Sequence, residues 1–147
     1  MTVSRVLKRI IPHNAHTNEM KEIIAAKVFA CLILFIILFQ LGLALGAPWG
    51  AFAWGGAYRG TLPTAMRLAS AGSIFLLVAF MCIVLIRAGV MAPRWQSVSK
   101  KGIWIVVSYL ALGVIANTAT PSHHERMLWL PVTVLMLMCS TVVARSR

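Results

Sequence analysis

"VFACLILFIILFQLGLALGAPWGAFAWGGAY", residues 28–58, contains no charged side chain. A helix needs about 20 apolar residues to cross a hydrocarbon layer about 30 Å thick, so this stretch is longer than one crossing. Its character changes at Gly46. Before that residue the chain is aliphatic and aromatic; after it, "GAPWGAFAWGG" mixes Trp49 and Trp54 with glycines and a proline. The pattern predicts a membrane-spanning helix over 23–46, with Lys27 reaching back to the interface. Asn18 is its expected N-cap, and Glu19 and Glu22 suit its first turn.

The rest of the chain repeats the first half of this pattern. A second apolar run, 63–87, enters at Pro63, a residue tolerated in a first helical turn. Arg67 and Arg87 bracket its apolar part, and twenty residues at about 1.5 Å each match the bilayer core. A third, 102–118, follows Lys100 and Lys101 and stops before Pro121. The fourth, 127–144, lies between Arg126 and Arg145. The expected fold is therefore all-α, a bundle of four transmembrane helices over 23–147 preceded by a basic segment, 1–22. No solenoid repeat or low-complexity tract interrupts it. Ala44-Leu45-Gly46 has the small-residue look of a signal-peptide cleavage site. The apolar run is too long for a signal peptide, and its preceding segment carries two acids, so an uncleaved span is expected.

Composition points the same way. Of 147 residues, 60% are hydrophobic and 12% charged, against about 45–50% and about 25% in ordinary soluble chains. A domain this small cannot hide such a surplus in its own core. The net charge of +11 lies between apolar runs and not along a basic helix with stacking aromatics, which excludes a nucleic-acid partner and favours anionic lipid. Eleven of the fourteen Lys and Arg flank one side of the expected bundle; Arg59, Arg67 and Arg126 flank the other. By the positive-inside rule both termini and the middle loop are cytoplasmic, and anionic lipids at that face are expected partners. In the basic segment, Val3, Val6, Leu7, Ile10 and Ile11 recur at helical spacing. Two readings fit: a short interfacial helix ended by Pro12, or a disordered basic tail.

The polar and aromatic residues of the outer side form the candidate site: Trp49, Trp54, Arg59, Arg67, Asn117, His123, His124, Glu125 and Arg126. Indole rings favour the membrane–water interface, and irregular backbone cannot face lipid at depth. The Trp/Gly segment is therefore either an interfacial anchor or a lid over the bundle's outer mouth. Arg67 lies a turn inside helix two and needs a partner; Glu125 is the acid on that side, so an Arg67–Glu125 pair beneath the lid is expected, with snorkelling of Arg67 to phosphates as the alternative. Gly42 and Gly46 have GxxxG spacing, and Ala65, Ala69 and Ser73 form a row of small residues; both are expected to seat neighbouring helices. Gln40 and Asn117 are expected to hydrogen-bond across helices.

Catalytic and metal signals are poor, and no cofactor is expected. His123, His124 and Glu125 are adjacent and lack HExxH spacing. Cys31, Cys82 and Cys139 fall in different spans and read as small apolar packing. No P-loop, GxGxxG or CxxC is present, and mid-membrane acids or histidines, the usual mark of ion pathways, are missing.

"LALGAPWGAFAWGG", "LPTAMRLAS" and the later "AN…ERMLWLPV" resemble a family of small four-span bacterial membrane proteins without an assigned activity. The resemblance covers roughly residues 38–145 and implies a multi-pass protein of the bacterial plasma membrane. It carries over no reaction or catalytic residue. The function expected is that of a noncatalytic binding or accessory protein that engages a small lipidic ligand, a membrane-protein partner or further copies of itself through the outer loop. The alternatives are a membrane enzyme acting on a lipidic substrate at the outer face, with His123, His124 or Glu125 and Arg67, or passive passage of a small solute through an oligomer.

Overall fold

The computed structural model describes residues 3–145, with side-chain detail for 16–92 and 94–145. Four α-helices account for most of it: α1 (Val3–Leu45), α2 (Thr64–Arg87), α3 (Gln96–Ala119) and α4 (His123–Ala144). No strand occurs among the described residues. All four helices are long and apolar enough to cross a membrane. They run up and down in sequence, and α1 packs on both α2 and α4 while α3 packs mainly on α4. Contact is sparsest between α2 and α3 among the neighbouring pairs. The end carrying Leu45, Thr64, Ala119 and His123 is here the lid end, because residues 46–63 fold across it.

Helix boundaries differ from the sequence reading. α1 continues unbroken from Val3 to Leu45, so Asn18 lies mid-helix and does not cap it, and Pro12 does not end it. At about 1.5 Å per residue α1 extends over about 64 Å, roughly twice a hydrocarbon layer. The onset of hydrophobicity at Ile23 brings no change of backbone conformation. α3 likewise begins at Gln96, a turn and a half before the apolar run.

The lid end of α1 closes by a local rule. Ala47 N–H donates to the Gly42 carbonyl at 2.9 Å and Gly46 N–H to that of Leu43 at 3.1 Å, the two bonds of a Schellman motif. Gly46 sits at φ +96°, where a side chain would be strained. Chain reversal at this point follows directly from that glycine.

The two halves of the bundle are built differently. Away from the lid, Phe29 and Ile33 of α1, Val84 of α2, Ile103 and Val106 of α3 and Val143 of α4 are all sealed from solvent. They form one continuous apolar core with Phe80, Leu110, Met136 and Cys139. Toward the lid the core thins to a small cluster of Leu43, Ala53 and Leu62 with Phe39, Tyr58 and Met66. The space between these two clusters is hollow.

Candidate functional site

The hollow is a cavity of about 380 Å³ reached by all four helices and closed from above by the lid. Its floor is Phe80 and Tyr109, whose rings meet edge-to-face at 5.0 Å, with Met136 beside them. Its roof is Phe52, Ala53 and Trp54. Phe39 and Trp129 supply aromatic wall, their rings 4.7 Å apart in a T-shaped contact. Polar groups from every helix interrupt this lining: Gln40 from α1, Ser70 and Ser73 from α2, Asn117 from α3, and Glu125 and Thr133 from α4.

The lid is held by hydrogen bonds to α4. Trp129 Nε1–H donates to the Phe52 carbonyl at 2.6 Å, and Ser122 Oγ donates to the Ala51 carbonyl at 3.1 Å. Ser122 also caps α4, accepting from Glu125 N–H at 3.3 Å, so one hydroxyl ties the lid and starts the helix. Within the lid, Gly50 N–H donates to the Gly60 carbonyl at 3.0 Å. Trp54 adopts φ +55°, a region rarely taken by bulky residues and costing of order 1–3 kcal/mol. With the lid tied on both sides of it, the strained backbone persists and its indole lies over the cavity.

Eight of the nine expected site residues separate into three groups. Trp54, Asn117 and Glu125 line the cavity. Trp49 lies outside it, stacked on Phe39 at 5.8 Å and 13°, and with Phe35, Leu38, Phe52 and Leu128 it lines a shallow apolar groove on the outside of the α1–α4 face. Arg59, His123, His124 and Arg126 are exposed around the lid end; His124 meets the edge of Phe52 at 5.9 Å. Among the described residues no cluster of three His, Cys, Asp or Glu could hold a metal ion.

Arg67 and Glu125 do not pair. Arg67 Nε–H donates to the Ala44 carbonyl at 3.0 Å, satisfying one of the carbonyls that the last turn of α1 leaves open. A cation there also complements the negative end of the helix dipole. Glu125 Oε2 accepts from Thr120 Oγ at 2.8 Å, and Arg126 donates to the Thr120 carbonyl at 3.0 Å. Backbone carbonyls at helix ends thus take both arginines, among them Arg67, which charge matching assigned to the acid.

The small-residue patterns also resolve differently. A side chain at Gly42 would collide with the Trp49 indole, so this glycine seats a ring from the lid and not a neighbouring helix. Ala69 and Ser73 face the cavity and Ala65 is exposed; this row lines space and does not seat a neighbouring helix. Asn117 Nδ2 does donate across to Thr133 Oγ at 3.4 Å. Gln40 does not complete its part: its Oε1 is buried and accepts no hydrogen bond. Ser70, 2% exposed, likewise leaves its Oγ without a partner. Sequence reasoning had no reason to place Ser70 in a site; a lone serine among apolar residues is the only signal it carries.

No protein-family model matches this chain, and neither curated proteins nor solved structures give a match.

Proposed function

We propose that this chain is a four-span protein of the bacterial plasma membrane, with both termini cytoplasmic, that binds a small amphiphilic molecule beneath its Trp/Gly lid without transforming it. The observation that carries this reading is the cavity itself. Its volume falls in the usual range for small-molecule sites, and its lining combines aromatic walls with a few convergent polar groups. Two of those groups, Gln40 Oε1 and Ser70 Oγ, are buried without a hydrogen bond, a cost that a bound polar group relieves. His123 and His124, the residues best suited to acid–base chemistry, lie exposed outside the cavity, which favours binding over catalysis. The charge asymmetry between the two faces supports the orientation, with anionic lipid held at the cytoplasmic side.

Quenching of Trp129 tests the binding reading. In a variant with the other four tryptophans replaced by phenylalanine, a terminally brominated dodecanol is expected to quench Trp129 saturably in nanodiscs. Gly113 lines the cavity, and a side chain added there meets open space, so Gly113→Phe is expected to fold and to abolish the saturable component. Quenching that rises linearly, or survives in Gly113→Phe, means the alcohol only partitions into lipid. Orientation is tested separately by cysteines at Arg59 and Ser97, both exposed, in a cysteine-free background. An impermeant thiol reagent should reach the first in intact cells and not the second; the reverse would invert the topology.

A further inference from the structure

We propose that the occupant of this cavity is a single-chain amphiphile with a primary ammonium head, held by Glu125, and that it enters sideways between α2 and α3. The inference rests on the reading of the cavity as a binding site and adds the class of ligand and the route.

The sign of the charge comes from the lining. Ser70 and Gln40 can meet any hydrogen-bonding group, because a hydroxyl and an amide offer both donors and acceptors. Glu125 cannot: an ionised carboxylate only accepts. Its Oε2 takes the Thr120 hydroxyl, and the residue lines the cavity. Among the described residues lining the cavity there is no Lys, Arg or His. Of the arginines at the lid end, Arg67 donates to the Ala44 carbonyl and Arg126 to the Thr120 carbonyl. A carboxylate in a largely apolar lining that supplies no cation is suited to a cation from the ligand. Ser70 Oγ, buried and unpartnered on the opposite wall, is an independent sign that the chamber is built to take a polar head. Below these groups Phe39, Leu76, Phe80, Trp129 and Met136 offer only apolar surface for a hydrocarbon tail.

The route comes from the seam between α2 and α3. These helices touch where Phe80 meets Tyr109, at the cavity floor, and where Ile83 packs on Gly102, below it. Above that contact Gly72 of α2 and Gly113 of α3 have open space where a side chain would sit. Leu76 and Tyr109 line the cavity yet are 40% and 51% exposed, so the chamber opens through this side. The lid, by contrast, is bonded to α4 on its far edge.

The test uses the Trp129 variant in nanodiscs of phosphatidylcholine at neutral pH, with terminally brominated dodecylamine, dodecanol and dodecanoate as probes. Each apparent affinity is corrected by the same probe's partitioning into empty nanodiscs. The amine is expected to bind at least tenfold more tightly than the carboxylate, with the alcohol between. Glu125→Gln keeps an acceptor for Thr120 and should bring amine affinity down to that of the alcohol while leaving the alcohol unchanged. Carboxylate binding equal to or tighter than amine binding would overturn the ligand class in the unsubstituted site, independent of any variant's folding. Gly72→Phe should slow amine association severalfold; an unchanged rate would overturn the lateral route. If phosphatidylethanolamine in the disc displaces the amine, the ammonium preference stands but the single-chain occupant is overturned in favour of a lipid headgroup; without displacement the single-chain amine is the ligand. Should none of the three probes quench saturably, the binding reading itself fails, an outcome distinct from a wrong charge preference.

Discussion

The half of the bundle away from the lid and the half beneath it use the same helices to opposite ends. In the first, Phe29, Ile33, Val84, Ile103, Val106 and Val143 fill the interior completely. In the second, the same four helices carry Gln40, Ser70, Asn117 and Glu125 inward around empty volume. Dispersion and burial hold the first half. The second is held by directed bonds at its rim: Arg67 to α1, Ser122 and Trp129 to the lid, Thr120 to Glu125. A filled lower half lets the upper half give up packing for space.

The largest expected effect is therefore on the packed side. Phe29→Ala, at a fully buried position, should cost about 3–5 kcal/mol in unfolding free energy, read from denaturation in detergent. Ser70→Ala, equally buried but facing the cavity, should change stability by less than about 1 kcal/mol in either direction, because it removes a hydroxyl with no partner. Equal losses at the two sites would break the contrast between the halves.

A middle-sized effect is expected at the rim. Trp129→Phe keeps most of the ring and removes the N–H that holds the Phe52 carbonyl, leaving a part-buried acceptor unpaired. The expected cost is about 1–3 kcal/mol, with faster amide exchange confined to residues 49–57. Global acceleration of exchange would mean that the lid is part of the same cooperative unit as the lower core.

How much of this could be read from the sequence depends on the distance over which each feature acts. The four apolar runs report solvent, so their number and rough limits were legible, as was the break at Gly46, which is a local backbone event. The length of α1 was not, because a polar helix and a polar coil look alike at residues 13–22. Gly42 read as a helix-packing glycine because its true neighbour, Trp49, lies in a segment with no periodicity. Trp54, Asn117 and Glu125 stood out in the sequence by their polarity or position at a span's edge, and all three line the cavity. Gln40 was noticed only as a cross-helix bond, and Ser70 was missed, because what makes them notable is the lack of a partner, a property of the tertiary structure alone.

The Arg67–Glu125 pair is the sharpest case, and it supplies the smallest expected effect. Charge complementarity within one face suggested it, yet both groups find other partners. A double-mutant cycle with Arg67→Gln and Glu125→Gln should accordingly be additive within about 0.5 kcal/mol. Coupling well beyond that would mean the two residues share an interaction that their separate hydrogen bonds do not account for.

On the proposed reading, the hollow beneath the lid is a chamber for one molecule and not loosely packed core. Native mass spectrometry of the protein released from nanodiscs loaded with brominated dodecylamine measures this most directly, since the bromine isotope pattern marks the bound probe. The expected spectrum shows one amine per chain, retained at collision energies that strip surrounding lipid, and no retained amine in Gly113→Phe. A spectrum with no retained amine, or with the same retention in Gly113→Phe, would contradict the claim.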